Sequence, residues 1–113
     1  MAVTVKTLVE GKYAENAQTT QYPTAPTNCK TIIDKCTVSN ITAANATFAA
    51  NVVASGGAAG ATNNVLPTRT IAPGEVYHCP ELVGQVLESG DFLSTIAGTA
   101  SALVLRVSGR EIT

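Results

Sequence analysis

The chain has 113 residues and a formal net charge of −1, with 45% hydrophobic residues but only 4% aromatic residues and no Trp. This length allows one domain with a single core, which must be built mainly from Val, Ile, Leu and Ala. The Lys and Arg residues form no run, which excludes the basic patch of a nucleic-acid-binding protein, and no apolar stretch reaches the roughly 18 residues of a membrane span.

The chain opens with an alternation of apolar and polar side chains over residues 2–8. This period of two predicts a half-exposed strand. We therefore expect residues 1–12 to form an N-terminal strand or arm, ahead of one β-domain over residues 13–113. Because the polar segment that follows is too long for a tight hairpin, we expect the arm to pair with or drape over a neighbouring chain. The side chains expected at this subunit contact are Val3, Val5 and Leu8.

The next segments predict short strands separated by turns. Residues 19–22 fit a short edge strand that ends before Pro23, and residues 30–41, rich in Ile, Val and Thr, fit a central strand. Residues 47–54 are expected to be the partner of that central strand. Residues 55–64 contain only small and polar side chains, so we expect a mobile loop that buries little.

Turn residues punctuate the second half of the chain and predict four further strands. These strands cover residues 65–72, 75–79, 92–96 and 102–108. Residues 80–89 fit either a short helix or turn, slightly favoured because Pro80 and Gly90 suit its two ends, or a strand over residues 83–87. The sequence therefore predicts an all-β, antiparallel domain with at most one short helix.

The period-two faces of these strands also predict the core. The side chains expected to be buried together are Ile32, Val38, Phe92, Ile96, Leu103, Leu105 and Val107. In the last strand Ile112 lies on the opposite face from Leu105, so Gly109 is expected to mark a bulge that changes which side chains face the core.

Three cysteines cannot all pair within one chain. Cys29 and Cys36 flank one predicted strand and would lie roughly 23 Å apart if it is straight, beyond the reach of a disulfide. Cys36 has the parity of the predicted core, so we expect a buried apolar residue. Cys29 and Cys79 lie near turns, where a disulfide within or between subunits is possible. No Cys or His spacing fits a zinc site.

No catalytic constellation stands out in the sequence. His78 is the only histidine, and no nucleophile motif is tied to it. Four carboxylates lie beside turns, where acidic residues are normally solvated, and the few aromatic residues give no platform for a sugar ring. These carboxylates are Glu75, Glu81, Glu88 and Asp91. We therefore expect a protein that is not an enzyme and that has no cofactor and no metal site.

Short motifs follow one another in a fixed order along the chain: Tyr22-x-x-Ala25-Pro26, Ile71-Ala72-Pro73-Gly74-Glu75-x-Tyr77, Leu87-x-x-Gly90-Asp91, Ala97-Gly98-Thr99-Ala100-Ser101-Ala102-Leu103 and Val107-Ser108-Gly109-x-Glu111-Ile112. In this order, over nearly the whole length, the chain resembles a group of small virion proteins of tailed bacteriophages. The resemblance implies a β-sandwich of immunoglobulin-like or jelly-roll type and a structural place on the capsid, neck or tail. It implies no catalytic residues.

Two functions follow from the resemblance and the composition. The favoured one is a non-enzymatic virion protein, synthesised in the host cytoplasm, that contacts copies of itself and other virion proteins while decorating or reinforcing the capsid or the head-to-tail neck. Charged residues are only 13%, about half the usual share, which suits a surface covered by protein. The alternative is a tail-associated or surface-displayed host-recognition module that uses loop 55–64, although that loop lacks Tyr, Trp or Arg anchors.

Overall fold

The computed structural model describes residues 2–22 and 28–113, which fold into two antiparallel sheets packed against each other. The first sheet contains β1 (Val3–Tyr13), β3 (Lys30–Asn40), β6 (Val76–Tyr77), β7 (Val86–Leu87) and β9 (Leu103–Ile112). The second sheet contains β2 (Thr19–Tyr22), β4 (Ala46–Val53), β5 (Asn64–Ile71) and β8 (Phe92–Ala97). The predicted all-β sandwich is confirmed. Pro23 and the Ala25-Pro26 motif lie outside the described residues.

The strands pair as one long hairpin that has been rolled up. At its tip β4 pairs with β5, then β3 pairs with β6 and β7, β2 pairs with β8, and β1 pairs with β9. Two further pairs, β9 with β3 and β8 with β4, join these strand pairs into two sheets. The strand orders are therefore β1-β9-β3-β6 and β2-β8-β4-β5. This nested order is the jelly-roll arrangement, with β6 and β7 acting as one interrupted strand.

The core lies between the two sheets and is built from aliphatic side chains of both. Its largest fully buried side chains are Phe48, Ile33, Leu66, Ile71, Leu82, Leu87, Leu93, Leu103, Leu105, Val38, Val53 and Val107. Central strand β9 contributes three of them, and its neighbours β1 and β3 cover both of its edges. Burial of this apolar surface is the main force that holds the sheets together.

The predicted core is right for four of its seven side chains. Val38, Leu103, Leu105 and Val107 are fully buried, whereas Ile32, Phe92 and Ile96 are only partly buried. In β3 the cause is a register shift between Ile33 and Lys35, which leaves Ile33 rather than Ile32 facing the core. In β8 the inward face belongs to Leu93, Thr95 and Ala97, so the parity expected from Phe92 and Ile96 is wrong.

One prediction about the elements needs correction, and one open alternative is decided. The strand over residues 47–54 exists as β4, but it pairs with β5 and β8 and not with β3, because the chain crosses to the other sheet after Asn40. Residues 80–84 form turns, as the favoured alternative of a short helix or turn allowed, and they lead into the two-residue strand β7. In the described residues the single helical element is a 3-10 turn over Ala61–Asn63.

The last strand keeps one face inward along its length. Leu103, Leu105, Val107 and Gly109 are all buried, so Gly109 does not reset the parity of β9. The irregularity lies opposite it, where Asp34 is the extra residue of β3. The expected bulge therefore exists in this part of the sheet, but on the neighbouring strand.

Candidate interaction surface

The N-terminal strand β1 forms an edge of the first sheet. It pairs with β9 of its own chain from Val3 to Tyr13. Ala2 and Thr113 exchange both main-chain hydrogen bonds, each 2.9 Å long. Because bonded and non-bonded pairs alternate in an antiparallel ladder, the amide and carbonyl groups of Val3, Val5 and Thr7 point away from β9. These groups form the free edge of the sandwich.

Two of the three side chains predicted for a subunit contact are exposed on this edge strand. Val3 is 53% exposed and Val5 is 78% exposed, which makes them the first apolar groups that an approaching strand would meet. Leu8 points elsewhere, since it is partly buried and packs against the core. Val3 and Val5 therefore lie together on the exposed edge strand, whereas Leu8 packs against the core of its own chain.

The regular part of the edge is short. Register shifts between Thr7 and Val9, and again between Val9 and Lys12, place bulges in the second half of β1. Bulges bend a strand and hinder further pairing, so the part of β1 that can accept another strand covers residues 2–7. We call this segment the open edge.

The other sheet margins of the described chain are poorer templates for pairing. β5, at the margin of the second sheet, carries Pro67, which has no amide hydrogen to donate. β2 has four residues, and β6 and β7 have two each. Natural sheets use short strands and prolines to block unwanted pairing, and the open edge has neither.

Charges around the open edge are neutralised within the chain. Lys6 Nζ lies 3.5 Å from Glu111 Oε2, and Glu111 also accepts a hydrogen bond from the Tyr22 hydroxyl. On the outer face the guanidinium of Arg110 binds both carboxylate oxygens of Asp34 at 3.0 to 3.2 Å. A strand added to this edge would therefore meet little unpaired charge.

The two cysteines predicted near turns are inside the protein. Cys29 is 2% exposed and Cys79 is fully buried, as is Cys36, whose predicted burial is confirmed. All three are free thiols. Neither Cys29 nor Cys79 presents its sulfur at the surface, so the predicted bridge between subunits would require local opening of the chain.

Loop 55–64 is fixed by asparagine side chains that the sequence analysis did not single out. Asn51 Nδ2 donates to Gly60 O and to Asn63 Oδ1, while Asn63 Nδ2 donates to Ala58 O. A shallow depression of about 430 Å³ lies beside this network, lined mainly by Ala, Gly, Asn and Thr side chains with Gln18 and Ile96. The polar groups thus hold the loop against β4. The concentration of Asn residues at positions 51, 63 and 64 is the feature of the sequence from which this network could have been predicted.

The four carboxylates near turns act within those turns. Glu75 accepts a hydrogen bond from Ala72 N at 2.8 Å, and Asp91 accepts bonds from Ser55 N and Glu88 N. Glu81 accepts a hydrogen bond from the Tyr77 hydroxyl group, and this bond lowers the pKa of Glu81. Glu88 lies 3.6 Å from Lys30 Nζ. Each carboxylate thus has a structural partner.

The part of the chain described here, residues 2–22 and 28–113, contains no group of three His, Cys, Asp or Glu residues able to hold a metal ion. Over the same residues, no helix has the length and apolar character needed to cross a membrane. His78 is exposed and lies between β6 and the turn at residues 80–84. No family model, curated protein or solved structure matches this chain.

Proposed function

We propose that the chain is a non-enzymatic structural protein of a tailed-phage virion, present in many copies, that associates through the open edge of β1. The observation that carries the proposal is the run of outward main-chain groups at Val3, Val5 and Thr7, accompanied by two exposed valines. Adding a strand to such an edge is a common way to join proteins, because main-chain hydrogen bonds supply affinity and alternate side chains supply specificity.

The architecture supports this proposal. Jelly rolls recur in viral capsid domains, and the motif order of the chain resembles small virion proteins of tailed phages. Fold alone does not determine function, so the argument depends on the open edge rather than on the jelly roll. Attachment to the capsid surface or to the neck would place many copies side by side, where strand addition between neighbours reinforces the particle.

The simplest contact joins two copies by a two-fold axis. With antiparallel pairing centred on Val5, each Val5 would lie opposite the other and Val3 would lie opposite Thr7 of the second copy. All three residues point their main-chain groups outward, so this register forms complete hydrogen-bonded pairs. A two-fold contact is also the commonest symmetry among homo-oligomers.

A charge placed on the open edge tests this contact. In Val5→Lys, two ammonium groups would face each other across the axis, which destabilises a strand pair. We expect the wild-type chain to associate with increasing concentration in analytical ultracentrifugation, and the variant to weaken that association at least about tenfold. Ile41→Lys is the matched control, since Ile41 is 57% exposed but lies outside β1. A wild-type chain that stays monomeric at every concentration, or equal effects of the two variants, would contradict the contact.

The place in the particle is tested by quantitative mass spectrometry of purified virions. A copy number close to that of the capsid subunit indicates decoration of the capsid, and a small number set by rotational symmetry indicates the neck or tail. Absence from the particle would overturn the proposal.

The host-recognition alternative predicts a different result, because changes in loop 55–64 would then reduce adsorption to cells without changing the copy number.

A further inference from the structure

Two of the buried thiols lie near each other. Strands β3 and β6 pair Val38 with Tyr77 and Ser39 with Val76. Cys36 lies two residues before Val38 in β3 and Cys79 lies two residues after Tyr77, the end of β6, so the antiparallel pairing carries the two cysteines on neighbouring segments. Both side chains are fully buried and belong to the same core cluster.

The electrostatics of the pair also indicate that the two thiols are close. Contact with Cys79, together with burial, raises the pKa of the Cys36 thiol well above its usual range. A disulfide needs Cα atoms no more than about 7 Å apart, a separation that neighbouring antiparallel strands provide. Cys29 does not share this arrangement, since it lies outside the core cluster that contains Cys36 and Cys79.

The backbone at Cys79 also indicates a special position. Its φ of 46° lies in the left-handed region, which a residue with a side chain rarely adopts. Leu82 N donates to Cys79 O at 2.9 Å and Gly84 N donates to Ile33 O at 2.7 Å, so one tight turn follows Cys79 and returns the chain to β3. The Cys79 side chain is fully buried beside this turn.

We propose that Cys36 and Cys79 form a site of reversible disulfide formation within the chain. The inference is independent of the proposed virion function, because it depends only on the pairing of β3 with β6.

The reaction requires an oxidant, and a small-molecule disulfide such as oxidised glutathione is sufficient. The thiolate of Cys79 attacks one glutathione sulfur, one glutathione leaves as a thiol, and a mixed disulfide forms on Cys79. The thiolate of Cys36 then attacks the Cys79 sulfur and releases the second glutathione. The two cysteines together lose two protons and two electrons, which the small disulfide gains.

Access to the buried pair comes from the segment that carries Cys79. The strands on either side of it, β6 and β7, have two residues each, whereas Cys36 lies within the eleven residues of β3. Segments with few main-chain tethers open locally at low cost. We therefore expect Cys79 to meet the oxidant first and Cys36 to complete the bond when the segment closes.

The test treats the full chain with oxidised or reduced glutathione, alkylates the remaining thiols and maps the peptides by mass spectrometry. The expected result is a bond that joins the Cys36 and Cys79 peptides, while Cys29 stays free. Because the bond closes a loop of about 40 residues, the oxidised protein should melt on the order of 10 °C higher, and reductant should reverse the shift.

Variants separate the pair from the third cysteine. Cys29→Ser should keep both the bond and the melting shift, and Cys79→Ser should lose both. Peptide mapping of the wild-type chain needs no variant, so the test holds even if Cys79→Ser fails to fold. Three thiols that all stay reduced in the folded protein, or a bond that joins Cys29, would overturn the proposal.

Discussion

Gly109 lies in β9 between β1 and β3, at a position with no room for a side chain. It pairs with Lys6 of β1 on one side and Ile33 of β3 on the other, opposite the extra residue Asp34. A Cβ added here would lie 2.1 Å from the carbonyl oxygen of Ile32 and 3.0 Å from Leu8 Cδ1. The first distance is a severe overlap with main chain, which side-chain motion cannot relieve.

The Gly109→Ala variant is therefore expected to lose about 2 to 4 kcal/mol of the free energy of unfolding, because β9 must move away from β3. Urea denaturation followed by circular dichroism measures the loss. Gly11→Ala is the matched control, since nothing lies within 4 Å of a Cβ at Gly11, and it should change stability by less than about 0.5 kcal/mol. Equal stabilities of the two variants would show that the β3 bulge adapts without cost.

The bulge in β3 also shows that the sequence pattern of one strand does not determine which of its side chains face the core. Ile32 and Ile33 are both apolar, so alternation along the sequence cannot decide which of them faces the core. The choice is made by Gly109, which is 76 residues away from Ile33 and allows the extra residue at Asp34 to fit. The sequence indicated an irregularity at Gly109, but the strand that carries it depends on pairing across the sheet.

At the scale of the elements, β9 is the central strand that joins the two longest other strands of the first sheet. It is paired on both edges, by β1 and β3, and it alternates fully buried and more exposed residues from Leu103 to Val107. Strong alternation in a long apolar run is the most reliable strand signal, which explains why the inward face of β9 was predicted correctly.

Leu105→Ala tests the role of β9 in the core. Leu105 is fully buried, and removing its side chain leaves a cavity between the sheets, so we expect a loss of about 2 to 5 kcal/mol of the free energy of unfolding. Val104→Ala is the control on the same strand, because Val104 is only partly buried, and its loss should be clearly smaller. Thermal and urea unfolding of both variants measure the difference. Similar losses would place the two side chains in equivalent environments, contrary to the structure.

Strand existence could be predicted from the sequence better than strand pairing. The segments that became β3, β4, β5 and β9 were recognised from their composition, but β4 was given β3 as a partner because neighbours in sequence often pair. In the jelly roll the chain instead crosses between sheets after β3. The contact of Cys36 with Cys79 escaped prediction for the same reason, since it requires the register of β3 with β6.

At the scale of the whole molecule, the Tyr22 hydroxyl connects the two sheets, and the Tyr77 hydroxyl joins β6 to the turn that follows it. Tyr22 belongs to the second sheet, and its hydroxyl hydrogen-bonds with Thr31 and Glu111 of the first. Tyr77 binds Glu81 across the turn that follows β6, and the guanidinium of Arg69 lies 4.2 Å from its ring centre. Both hydroxyl groups donate hydrogen bonds to carboxylates, so both must stay protonated.

Stability should therefore fall in alkaline solution. Burial and the neighbouring carboxylate raise the pKa of Tyr22 to about 12 and that of Tyr77 to about 12, from an ordinary value of 10.0. Because the folded state holds these protons more tightly than the unfolded state, the stabilisation is complete below pH 10 and is lost as the pH rises toward 12. Urea midpoints measured across this range should decline with increasing pH.

A double variant separates the tyrosines from other groups that titrate at high pH. Tyr22→Phe with Tyr77→Phe removes both hydroxyl groups, so its urea midpoint should decline less steeply than that of the wild-type chain. Tyr13→Phe, at a half-exposed residue of β1, should keep the wild-type slope. Identical slopes for all three proteins would assign the decline to groups other than the two tyrosines.

The pairing of Ala2 with Thr113 has a mechanical consequence. These residues lie side by side at one end of neighbouring antiparallel strands, so a force that pulls them apart acts across the β1–β9 ladder and not along it. The hydrogen bonds then break one after another from that end of the ladder, because they do not share the load. A tether through residues 2 and 113 would peel β1 away at low force, whereas a pull applied along the length of the strands would have to break the ladder at once.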